Sequence, residues 1–169
     1  MLVVRAIVFT ILVPGVVTVY VPSLVLAGTA PAGDAWRFLG LLPVAAGTVG
    51  YLACALEFVL RGGGTPAVFF TRPLRFLIGE EPQTVVQTAL YQRSRNPMYV
   101  SVITVVLGES VFFESWGLLG YAGFLCLMFH LVVVLLEEPH LRQRPGYEEY
   151  CARVPRWLPA RVGSRKNSA

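Results

Sequence analysis

Arg95-Asn96-Pro97-Met98-Tyr99 sets a guanidinium, an amide and a phenol around the start of one apolar run, and Glu137-Glu138-Pro139 closes another. A helix starting at Pro97 offers unpaired backbone N–H groups, and such an end attracts carboxylates or phosphates. Asn96 reads as its cap, with Pro97 at the first helical position. Carboxylates at a helix C-terminus oppose the helix dipole. Glu137 and Glu138 are therefore either a solvated terminus or an anionic wall for a cationic or hydroxyl-rich ligand. His130 stands seven residues before Glu137, hence near the same helical face. It either lines the same cavity or packs between helices. Glu57 and Glu109 lie within apolar runs, where a carboxylate needs a partner or water.

The elements that carry these groups belong in a membrane. The chain has 169 residues, 14% of them charged, and a mean hydropathy of +0.62. That argues for one all-α integral membrane domain and against a soluble one. Apolar runs predict four spans, about 2–27, 37–60, 97–114 and 116–138, each near the ~20 residues that cross a bilayer core. A connector covers 61–96, a C-terminal segment 139–160 and a tail 161–169. The first run is too long for a signal peptide and lacks a small-residue cleavage site. Pro14, Pro22 and Pro43 are tolerated kinks, while Pro139 limits the fourth helix. Cys54, Cys126 and Cys151 show no paired spacing, so neither disulfides nor a metal site is expected.

Basic residues fix the expected topology. Arg61, Arg72, Arg75, Arg93 and Arg95 lie between the second and third runs, and Arg142 to Lys166 follow the fourth. The two opposite connections hold only Arg37. A multi-pass protein with both termini cytoplasmic follows. The pI of about 9.2 then reflects lipid headgroups and not nucleic acid. In the connector, Phe69, Phe70, Phe76 and Leu77 favour a segment on the membrane surface. Gly62-Gly63-Gly64 follows a span and not a strand, which supports neither a dinucleotide fingerprint nor a phosphate loop.

Taken in order, Gly-x-Gly-Thr-Pro at Gly62 to Pro66, Gln83-Thr84-Val85-Val86, Tyr91, the Arg95 to Tyr99 box, Glu137-Glu138-Pro139, Leu141, and Tyr147, Tyr150 and Val154 to Pro159 resemble the isoprenylcysteine carboxyl methyltransferase and phospholipid N-methyltransferase superfamily. The resemblance implies a helical membrane enzyme that binds S-adenosylmethionine in a cytoplasm-facing pocket roofed by the C-terminal segment. It implies cofactor binding by Gln83, Thr84, Val85, Val86, Tyr91, Asn96, Pro97, Met98, Tyr99 and Glu137, with Gly62 and Gly64 matching a glycine pair of the phospholipid enzymes. Asn96 is the phospholipid-branch residue where isoprenylcysteine enzymes carry His. Val133 stands where the eukaryotic isoprenylcysteine enzymes carry a substrate-linked Arg, Ser101 replaces the usual Gly, and Pro145-Gly146 replaces Phe-Gly.

The expected partners are the bilayer and a lipophilic methyl acceptor, with a phospholipid amine favoured over a prenylated carboxylate or a small thiol. Transfer needs an aligned nucleophile, aromatic faces favour a sulfonium, and an amine must lose its proton to a base. Arg95, Glu138 and His130 are the candidate catalytic residues. A four-span transporter using Glu109 and a membrane reductase with a nicotinamide cofactor are the alternatives.

Overall fold

The computed structural model describes residues 2–28, 33–62 and 87–157, which form helices and short connections with no strand among them. In chain order the α-helices are α1 (Leu2–Leu12), α2 (Val21–Val25), α3 (Leu41–Glu57), α4 (Pro97–Phe112), α5 (Trp116–Val132), α6 (Glu138–Leu141) and α7 (Tyr147–Arg153). Lipid offers the backbone no hydrogen bonds, so apolar runs must satisfy themselves as helices. Three continuous helical stretches, Val3–Val25, Ala35–Arg61 and Trp116–Leu141, are long and apolar enough to cross a membrane. The third expected span is shorter: α4 has 16 residues, about 24 Å at 1.5 Å per residue. It is the central helix, with Pro97, Ser101, Val102, Val105, Val106, Gly108 and Ser110 buried.

Small residues bring α3 and α4 together. A Cβ on Gly47 would lie 2.6 Å from the Ser101 carbonyl, and one on Gly108 would lie 2.6 Å from the Gly40 carbonyl. Only glycine permits that approach, as in membrane helix pairs generally. Ser101 faces Gly50, and its hydroxyl donates back to the Pro97 carbonyl at 2.8 Å. On the other side of α4, Val106, Ala122 and Leu125 form a buried cluster with Val17, Ile103, Tyr121 and Phe129. The first helix joins through Thr10 and Tyr51, whose hydroxyls are 2.9 Å apart. Tyr121 also donates to the Val17 carbonyl at 3.2 Å. Glu114, at φ 51°, reverses the chain, and Ser115 caps α5 by accepting from the Leu118 N–H at 3.3 Å.

Two prolines are accommodated by the same device. A helical proline clashes with the carbonyl four residues back, and a widened π turn relieves that clash. Val16–Tyr20 is such a turn, in which the Val21 N–H reaches back five residues to Val16, and Pro22 follows. Val133–Glu137 is another, in which Glu138 reaches back to Val133, and Pro139 follows. The helix therefore runs through Pro139 to Leu141 instead of stopping where the proline was expected to limit it. A third π turn, Phe58–Gly62, ends α3. The expected surface segment with Phe69, Phe70, Phe76 and Leu77 lies outside the described residues.

Beyond α6, Gly146 adopts φ +79°, a left-handed turn that glycine accepts without strain. It redirects the chain into α7, where Tyr147, Tyr150 and Val154 pack with Leu141 and Cys151. Val154 is extended, and 154–157 continues as a strap toward the start of α4.

Candidate functional site

Pro97 opens α4 as expected, but Asn96 does not cap it. The Asn96 amide instead donates to the Arg156 carbonyl at 3.0 Å. The same carbonyl accepts from the Ser94 hydroxyl at 3.3 Å, and that hydroxyl accepts from the Asn96 N–H at 3.2 Å. The Arg95 N–H donates to the Pro155 carbonyl at 2.9 Å. Backbone and amide bonds therefore clip the strap directly onto residues 94–96.

An ionic cluster backs this clip. Arg156 engages Glu138 through two bonds, Nε to Oε1 at 2.7 Å and Nη2 to Oε2 at 2.9 Å. Arg95 Nη1 lies 3.0 Å from the same Oε1 and donates to Cys151 Sγ at 2.6 Å. The side chains of Arg95 and Glu138 are only 10% and 5% exposed. A planar guanidinium matches a carboxylate bidentately, and a carboxylate this deep needs such partners to stay charged. The Glu138 bond raises the Arg156 pKa further above its ordinary value.

Glu137, the adjacent residue, faces a different neighbour. It accepts from the Tyr99 hydroxyl, and the Tyr99 ring lies against Phe129 with centroids 4.6 Å apart. Tyr91 sits in a 3-10 turn, Ala89–Gln92, and packs with Cys54, Phe58, Leu90 and Met98. Its ring meets Phe58 edge-on at 5.5 Å, and its carbonyl accepts from the Tyr150 hydroxyl at 2.7 Å. Glu57 is satisfied by Thr88 and by Arg61 at 3.3 Å. Burial raises the pKa of the Tyr91 and Tyr150 phenols, and pushes Tyr147 up to about 12. These hydroxyls therefore remain protonated at neutral pH, and Tyr150 acts as a donor to the Tyr91 carbonyl.

Tyr91, Arg95, Asn96, Pro97, Met98, Tyr99, Glu137 and Glu138 thus converge at one end of the bundle. His130 meets this group through the strap, at Trp157. It is exposed, and its Nδ1 accepts from Trp157 Nε1 at 3.2 Å. The π turn between His130 and Glu137 adds a residue to the helical path, about 100° of rotation, so seven-residue spacing no longer means a shared face. Gly62 ends the π turn after α3. Gly64, Gln83, Thr84, Val85 and Val86 lie outside the described residues. Among the described residues, no three His, Cys, Asp or Glu side chains come together to hold a metal ion.

Sequence reasoning missed Ser94, Phe129 and Arg156. Arg156 lay within the Val154 to Pro159 motif, so its motif was visible and its partner was not. Phe129 carried no signal, being one more apolar residue in an apolar helix.

The sequence model of the phospholipid methyltransferase family matches residues 45–147. The nickel-cobalt-cadmium resistance protein NccN of Alcaligenes xylosoxydans xylosoxydans is 30% identical over 125 residues, 72% of this chain and 48% of that protein. The cobalt-zinc-cadmium resistance protein CzcN of Cupriavidus metallidurans is 26% identical over 122 residues, with the same coverages of 72% and 48%. The chain thus spans about half the length of these curated relatives. No solved structure matches at a comparable level.

Proposed function

Because the chain belongs to the phospholipid methyltransferase family, we propose that it transfers a methyl group from S-adenosylmethionine to a lipid or other lipophilic acceptor, with a phospholipid amine favoured. The observation that carries this reading is the pairing of Tyr99 with Glu137 beside Phe129. It sets an anionic group and aromatic faces together at the start of α4. That donor set suits a sulfonium ligand that also carries hydroxyl and amino groups, since cations favour aromatic faces and carboxylates accept N–H and O–H donors. Tyr91, Asn96, Pro97, Met98, Tyr99 and Glu137 would hold the cofactor from the described part of the chain. Gly62, Gly64 and Gln83 to Val86 would contribute from the connector.

When bound, S-adenosylmethionine supplies a methyl group already activated on sulfur. The work left to the protein is orientation and exclusion of water. Arg95 and Glu138 are assigned to positioning, because Arg95 and Arg156 occupy both Glu138 oxygens. His130 uses its basic nitrogen on Trp157, so proton acceptance there requires that contact to open. By the distribution of arginines the site faces the cytoplasm, with both termini on that side. The resistance roles named for the two relatives would come to this chain as a setting for that chemistry, tested by growth of a deletion strain on cobalt or cadmium.

Purified protein in detergent should bind S-adenosylmethionine by calorimetry, and Glu137→Gln should weaken binding at least tenfold. A folded wild-type protein without binding would refute the cofactor assignment. Membrane extracts incubated with methyl-labelled cofactor identify the acceptor, as label in a phospholipid, a thiol or a protein.

A further inference from the structure

We propose that Arg156 is a positioning residue, which latches the 154–157 strap to Glu138 and thereby fixes the geometry of Asn96 to Tyr99. This goes beyond the cofactor assignment, and its functional arm alone rests on that reading. Three independent sets of contacts converge on the strap. Its guanidinium end is fixed by the bidentate bond to Glu138, itself tied to Arg95. Its backbone is fixed by Arg95 N–H on Pro155 and by Ser94 and Asn96 on the Arg156 carbonyl. Its end is fixed by Trp157 on His130.

The backbone contacts show how the latch acts on the site. Asn96, expected to cap α4 with its side-chain oxygen, makes no cap bond, and its amide nitrogen donates to the Arg156 carbonyl. The conformation of the α4 start therefore depends on a residue sixty positions later in the chain. Glu138 couples that strap to α5 and α6, and Glu137 beside it holds Tyr99. One arginine thus joins the two halves of the proposed pocket. A bidentate guanidinium suits this role better than a lysine, whose ammonium is a single point of charge.

The test compares Arg156→Met and Arg156→Lys with the wild type, all full-length in detergent. Without any cofactor, hydrogen exchange at the Arg95 amide and chymotrypsin cleavage after Trp157 report whether the strap is closed. Arg156→Met should raise both at least tenfold, and Arg156→Lys should give an intermediate value. Unchanged exchange and cleavage in Arg156→Met would overturn the latch, whatever the protein binds. Where wild-type protein methylates its acceptor, Arg156→Met should raise KM for the cofactor tenfold or more with kcat at saturation within threefold. An opened strap with an unaltered KM would overturn the positioning role. Absence of cofactor binding by the wild type would instead refute the methyltransferase reading and leave the exchange result to decide the latch.

Discussion

Gly108→Ala tests the helix contact on which the site is built. A Cβ at Gly108 would lie 2.6 Å from the Gly40 carbonyl oxygen and 2.7 Å from both the backbone N and Cγ2 of Val44. Ordinary contact begins at 3.4 Å, so α3 and α4 must separate by about 0.8 Å, the difference between 3.4 and 2.6 Å. A gap of that size forfeits roughly a quarter to a half of each dispersion contact across the seam. Overpacking costs about 1–3 kcal/mol, and the better helix propensity of alanine offsets it by up to ~1 kcal/mol. The expected net loss is about 1–2 kcal/mol, a fall of roughly 2–8 °C in Tm for a chain of this size. Gly120→Ala is the matched control, because a Cβ there meets nothing within 4 Å. It should leave Tm unchanged or slightly raised. Thermal unfolding of both variants in one detergent decides the matter, and equal Tm values would refute the close-packed seam.

Three further outcomes follow from the site. Glu138→Gln removes the charge shared by Arg95 and Arg156; breaking a buried pair costs about 3–5 kcal/mol, reduced here because Arg156 is one-third exposed, so denaturant unfolding should show a loss of about 2–4 kcal/mol. Tyr99→Phe deletes the donor to Glu137, and a hydrogen bond to a charged group contributes about 1.5–3 kcal/mol, so S-adenosylmethionine binding by calorimetry should weaken roughly tenfold or more. Tyr147 has a folded pKa of about 12, raised by burial above its ordinary value of 10.0. Its proton is retained on folding, so this contribution is complete below pH 10 and is lost as pH rises toward 12, at up to ~1.4 kcal/mol per pH unit. Tyr147→Phe should flatten that part of the stability profile measured by denaturant titration.

The membrane architecture was legible because a bilayer leaves few choices. Long apolar runs had to become helices, and Pro97 marked the start of α4. The convergence of the Arg95 to Tyr99 box with Glu137 and Glu138 was also legible, through the order of motifs. What escaped was decided by partners distant in sequence. Asn96 looked like a cap because capping is local, yet the strap offered its amide a carbonyl sixty residues away. His130 was placed by α-helical spacing, which fails across a π turn. Pro139 was read as a stop because its cost in a regular helix is high, whereas the widened turn before it removes the clash. The close seam of α3 and α4 was hidden as well, since Gly40, Gly47 and Gly108 reveal their purpose only when set opposite one another.

The π turn at Val133–Glu137 also has a meaning for comparing sequences. It acts as a phase shift in the helix: Glu137 and Glu138, which as neighbours point about 100° apart in any case, are both turned relative to the start of α5, where one serves Tyr99 and the other the two arginines. Two chains that share every apolar position of the last span still aim this carboxylate pair at different neighbours if one lacks the shift. The Glu-Glu-Pro sequence is therefore best aligned from its proline backward, because counting forward from Trp116 puts its faces about 100° out of phase.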